Sequence, residues 1–219
     1  MPRLLFEKTG NAVWMSHLDL VRVFQRAFKR AGLMLTHTQG YNPRPSVSIA
    51  LPLSVGIESR CELLDFTLDG CDISNDEIRS RLNTALLSGI RILDVYEAGR
   101  KIRELSLLRC QIQMEYDREI PTNAEKMLQQ LFSASDLTVT KKTKSGLQEQ
   151  NIIPMIRQII FSREGEQQIS VEAIVCCQNP TLNPAQLVLA IAKYLPELGP
   201  DHSRISRIEI YDEHMTIFR

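Results

Sequence analysis

The stretch Ser16–Glu58, SHLDLVRVFQRAFKRAGLMLTHTQGYNPRPSVSIALPLSVGIE, decides how the chain is read. Ser16-x-x-Asp19 is a variant capping box that puts an acid in the first turn of a helix, where the dipole favours it. Leu18, Val21, Phe24, Phe28 and Ala31 then recur at helical spacing and predict a buried stripe. Arg22, Arg26, Lys29 and Arg30 recur on another face. Such a basic stripe either grips phosphates or simply faces water. Gly32 suits a C-terminal cap. Leu33–Thr38 reads as short and extended. Gln39–Pro45 cannot be helical, because Pro43 and Pro45 remove donors and push the residues before them to extended backbone. Gly40 frees one position for positive φ. The expectation is a rigid, exposed loop presenting Tyr41, Asn42 and Arg44. Ser46–Leu51 then reads as a strand ended by Pro52.

Outward from this stretch the pattern is regular. Arg3–Thr9 is a first strand, and Glu62–Leu68 is a further strand before the Asp69-Gly70 turn. Ser74 caps a second helix through Leu87, and Ile90–Tyr96 is a strand. The order strand, helix, strand, strand, helix, strand is the split βαβ, or ferredoxin-like, unit. After a polar link at 99–105 it recurs. Leu107–Tyr116 is a strand, and Asn123 caps a helix through Phe132. Leu137–Lys142 is a strand followed by a polar hairpin tip at Thr143–Gln150. Ile153–Phe161 and Gln168–Cys176 are paired strands. Asn183-Pro184 opens a helix through Leu195, and Ile205–Tyr211 and Met215–Phe218 close as strands. The fold expected is α+β, two tandem ferredoxin-like modules with antiparallel sheets. One spans 1–100 with the basic helix and the GYNPRP loop, and the other spans 106–219 with extra strands.

Bulk composition sets outer limits. At 43% hydrophobic and 24% charged residues, 219 residues form one large or two small globular domains. Net charge is zero, but residues 1–60 hold eight Lys/Arg against three acids, and the remainder holds 18 against 23. A basic N-terminal third fits an anionic partner such as RNA. Met1-Pro2-Arg3 runs straight into a strand pattern with no signal peptide, and no apolar run approaches a membrane span. A cytoplasmic chain with no membrane partner is expected. Cys61, Cys71, Cys110, Cys176 and Cys177 form no CxxC pair and read as free thiols of a reducing compartment.

The chain resembles the radical SAM-linked bacterial family of unknown function. The resemblance is carried by Ser16-His17-Leu18-Asp19, Arg26-Ala27, Arg30-Ala31-Gly32 and Gln39-Gly40-Tyr41-Asn42-Pro43-x-Pro45. It continues through Ala50-Leu51-Pro52-Leu53-x-Val55-Gly56-x-Glu58-Ser59. It is looser in the second half, at Lys141-Lys142, Ile153-Pro154-x-Ile156 and Asn183-Pro184. Arg44 stands where members often carry His or Lys, and keeps the positive charge. The resemblance implies a neighbouring B12-binding-type radical SAM enzyme as partner.

The chain itself lacks the three clustered cysteines of a radical SAM enzyme, and has no P-loop, GxGxxG, HExxH or GxSxG. No cofactor is expected. His17, Asp19, His37 and Glu58 flank one helix and strand, but their spacing matches no metal signature, so no metal is expected either. The expected function is that of an accessory domain that binds RNA or a ribosomal component and presents it to the radical SAM partner. His17, Arg22, Arg26, Lys29, Arg30, Gln39, Tyr41, Asn42 and Arg44 would be the binding residues. Tyr41 suits stacking, Arg44 phosphate contact, and Gln39 and Asn42 base or backbone hydrogen bonds. Two alternatives stand beside this. One is a metal-independent ribonuclease using His17 or His37 as general acid or base. The other is a protein-only interaction module.

Overall fold

A computed structural model describes residues 1–70, 73–143 and 146–219. The chain is a mixed α+β protein with antiparallel sheets and, among the described residues, four α-helices. It divides into two compact units, Met1–Glu104 with Arg219, and Leu105–Phe218. Cys71 and the Lys144-Ser145 part of the expected hairpin tip lie outside the described residues.

The first unit runs β1 (Pro2–Lys8), α1 (His17–Arg30), β2 (Val47–Ile49), β3 (Glu58–Phe66), α2 (Asn75–Ala85) and β4 (Ile90–Glu97). Its strands lie in the order β4-β1-β3-β2, every neighbour antiparallel. Alternation on β1 sends Leu4 and Phe6 to one face. There they join Leu64 and Phe66 of β3, Leu20, Phe24, Ala27 and Phe28 of α1, and Ile78 and Leu82 of α2 in one core. Phe6 meets Phe24 edge-on with ring centres 4.8 Å apart, and Phe28 meets Phe66 at 5.0 Å. The buried stripe of α1 is thus Leu20-Phe24-Ala27-Phe28, and Leu18 is 65% exposed. Six residues at 100° each put Leu18 well off the face that holds Phe24, which the looser 3-3-4 spacing of the sequence reading obscured.

The other face of β1 carries Arg3, almost fully buried. Its Nε and Nη2 donate to the Asp65 carboxylate at 2.6 and 3.0 Å, and Nη2 also donates to the Arg100 carbonyl. Burial works against the charge, yet the hydrogen bonds and charge of Asp65 raise the Arg3 pKa above its ordinary value. Lys8, equally buried, donates from Nζ to the carbonyls of Val13 (3.2 Å) and Met15 (3.1 Å). It thereby fixes the 3-10 turn Gly10–Trp14 that delivers the chain to Ser16.

The second unit runs β5 (Leu107–Glu115), α3 (Ala124–Phe132), β6 (Thr138–Thr143), β7 (Gly146–Asn151), β8 (Ile156–Arg163), β9 (Gln168–Cys176), α4 (Ala185–Tyr194) and β10 (His202–Tyr211). Its sheet has the order β10-β5-β9-β8, again antiparallel throughout, and β6 and β7 form a separate two-stranded ribbon. Val171, Ala173 and Val175 of β9 and Cys110, Ile112 and Met114 of β5 share the buried face. Phe132 of α3 lies 5.4 Å from Phe161 of β8.

Two sequence readings change here. Gly146–Asn151, expected as part of a polar tip, is a strand paired in register with β6. The expected strand Met215–Phe218 is instead a turn returning on Tyr211 through one bridge to Ile217. The Asp212 carboxylate accepts from the backbone N–H groups of His214 and Thr216 and tightens that turn.

Candidate nucleic-acid interface

The site region is built from the two ends of α1 and the segment that follows it. At the start, Ser16 Oγ accepts from the Asp19 N–H at 3.2 Å and donates to the Asp19 carboxylate at 2.7 Å. That hydroxyl, followed by Arg22, lowers the Asp19 pKa below its ordinary value. At the end, Gly32 adopts φ +70°. Its N–H bonds to the Lys29 carbonyl, and the Leu33 N–H reaches back to the Phe28 carbonyl at 2.9 Å. This is a Schellman cap, which brings the side chains flanking the turn together. Here those are Phe28 and Leu33, both buried.

Beyond the cap the chain is extended. The Thr36 N–H bonds to the Thr67 carbonyl, and Asp69 N–H to the Met34 carbonyl, so residues 34–36 run along the end of β3. The chain then turns back on itself. Thr38 N–H bonds to the Arg44 carbonyl at 2.8 Å and Ser46 N–H to the Thr36 carbonyl at 2.8 Å, while Thr38 Oγ1 accepts from the Arg44 N–H. The loop 39–43 is therefore closed at its base, with Gly40 at φ +138°. Tyr41 at its tip is fully exposed, and Gln39, Asn42 and Arg44 are exposed as well.

These pieces enclose a groove of about 230 Å³. Phe28, Leu33 and Leu35 lie buried beneath it, and Gln25, Lys29, Met34, His37 and Pro45 line it at the surface. No acid lines it. Of the expected site residues, Lys29 and His37 meet here. Sequence reasoning missed Gln25, Phe28, Leu33, Met34 and Leu35 as a site. The signal available was the Gly32 cap, which folds Leu33 back over Phe28.

The other expected residues have different places. Arg22 is exposed and paired with Asp19 at 3.0 Å. Arg30 leans into an open cleft between α1 and α2 lined also by Ser80, Arg81 and Thr84, where its guanidinium donates to the Ala85 carbonyl. A cation at that helix end is favourable for the dipole, so Arg30 serves as a cap for α2. Arg26 and Lys29 are exposed, and their side chains make no hydrogen bond or ion pair among the described residues. His17 is half-buried in the first turn of α1, twelve residues before Lys29, or about 18 Å along the helix. It does not line the groove that holds His37.

Among the described residues no group of three or more His, Cys, Asp or Glu is placed to hold a metal ion. Among the described residues Cys61, Cys110, Cys176 and Cys177 form no disulfide. No helix is long and apolar enough to cross a membrane among the described residues. The second unit has its own recess, about 480 Å³, walled by Glu115, Asp117, Glu164, Glu166 and His202. Its acidic wall is unsuited to a polyanion.

Residues 2–184 match the model of a family described as an uncharacterized protein conserved in bacteria (DUF2344). No curated protein matches in sequence. Among solved structures, 97% of the chain superposes on a chain of a Cbf5-Nop10-Gar1 complex with TM-score 0.53 and 8% identity. It spans about half of that chain, 50%. An unknown protein from Galdieria sulphuraria aligns over 94% of this chain and 96% of its own, at 11% identity and TM-score 0.27. The first likeness speaks to fold alone, and the second is too low to bear on it.

Proposed function

Since the chain belongs to the uncharacterised bacterial family DUF2344, we propose its function from its own geometry: a binding module for RNA, acting as accessory to a separate enzyme. We read each unit as ferredoxin-like, on the order 4-1-3-2 that its strands follow once the β6–β7 ribbon of the second unit is set aside. The sequence resemblance to the radical SAM-linked family makes a radical SAM enzyme the partner to which bound RNA, free or ribosomal, would be presented.

One observation carries the RNA reading. Arg26 and Lys29 stand exposed and unengaged on α1, on the same unit as a pinned loop that holds Tyr41 and Arg44 out to solvent. Cations without internal partners are available to displace counterions from phosphates. An exposed aromatic on a fixed loop offers a stacking platform. Arg22 and Arg30 contribute less, being occupied by Asp19 and by the Ala85 carbonyl.

The test is a filter-binding titration of single-stranded RNA across a salt series. Arg26→Ala with Lys29→Ala is expected to weaken binding for all sequences and to reduce the log–log salt slope by about two, one per phosphate contact. Absence of affinity by the wild-type chain at low salt would end the RNA reading. Cleavage of RNA in the presence of EDTA would replace it with the ribonuclease reading through His17 or His37.

A further inference from the structure

The groove at the C-terminal end of α1 has a chemistry the basic helix face alone does not require. We propose that it takes one unstacked RNA base, held against Met34 and Pro45 with its phosphate towards Lys29 and His37. This deepens the RNA-binding reading and rests on it.

Size comes first. About 230 Å³ lies below the roughly 300–1,000 Å³ of pockets that hold drug-sized ligands or cofactors, so one ring system fits and an extended cofactor does not. Polarity comes second. Phe28, Leu33 and Leu35 lie buried beneath the groove, and the apolar surface it offers to a flat ring comes from Met34, which is 59% exposed, and from Pro45. Charge comes third. Lys29 brings an ammonium group and His37 an imidazole, no acid among the described residues lines the groove, and Arg26 lies one turn back along α1 and Arg44 next to Pro45. A nucleotide unit, with flat ring faces, a polar base edge and an anionic phosphate, matches that combination of apolar, amide and basic lining. Gln25 is the lining residue with an amide, which offers both a donor and an acceptor to a base edge. Single-stranded RNA is the form whose bases are free to be splayed into such a recess.

The experiment measures fluorescence anisotropy of the full chain with three short oligomers of equal length: oligo(U), oligo(A) and an abasic ribose-phosphate chain. The abasic oligomer is expected to bind about tenfold or more weakly than the better base-bearing one, with the same salt slope, because a buried base adds affinity without adding phosphate contacts. Gln25→Leu, a change in a wall residue outside the buried core, is expected to flatten the difference between oligo(A) and oligo(U). Equal affinity for abasic and base-bearing oligomers would overturn the base pocket and leave the RNA reading standing. Binding of none of the three would overturn both. A base preference undiminished in Gln25→Leu would overturn the proposed orientation of the base.

Discussion

At the scale of single residues, the buried charges do most to define the first unit. Arg3 and Asp65 sit opposite each other on β1 and β3, and their ion pair is almost wholly removed from water. Breaking such a pair leaves one charge stranded, which is costlier than replacing both. Asp65→Ala is expected to destabilise by about 3–5 kcal/mol in urea denaturation. Arg3→Met with Asp65→Leu should recover a large part of that loss; a double variant as unstable as the single one would refute the account. Neither role was legible in the sequence. Arg3 and Lys8 stand there as two more basic residues of a basic third, and nothing local marks them as buried. Burial comes from pairings with Asp65 and with the Val13 and Met15 carbonyls, and the Asp65 pairing spans 62 residues.

At the scale of elements, local signals were legible where they were chemical. Ser16 caps α1 as its spacing to Asp19 implies, and Gly32 closes it by a left-handed turn. Ser16→Ala is expected to cost about 1 kcal/mol, read as a shifted denaturation midpoint with unchanged slope. The Asp19 pKa is depressed by the Ser16 hydroxyl and then by Arg22, so the stability this pairing adds is full above the ordinary carboxylate value and is lost as pH falls below it, through the depressed one. Signals were illegible where they depended on tertiary partners. β7, GLQEQN, has no apolar alternation, because most of its side chains are exposed and only its ladder with β6 makes it a strand. Met215–Phe218 has alternation without a ladder beyond one bridge, and stays a turn. The groove follows the same rule: its capping glycine is visible in sequence, while Leu35 and Pro45 come to it through backbone pairing alone.

At the scale of the whole molecule, a chain of zero net charge divides its chemistry between two units. The exposed cations of the proposed interface belong to the first, and the acidic recess belongs to the second. The thiols of the second unit report on its integrity. Burial pushes Cys110 from 9.0 up to about 12 and Cys177 up to about 11. Both are neutral and shielded in the native state. A raised folded pKa means that stability is full below about pH 9 and falls as pH climbs towards 12. Mass-spectrometric labelling at neutral pH is expected to leave Cys110 and Cys177 unmodified until denaturant opens the unit; rapid native labelling of either would contradict this burial. The β6–β7 ribbon has a wider meaning. It enters between the first helix and the second strand of its unit, the same topological position that the closed 38–44 loop occupies in the other. Both units thus make an excursion from their sheet at the same point, the exit of the first helix. A change of length at that exit is expected to leave the strand order around it intact.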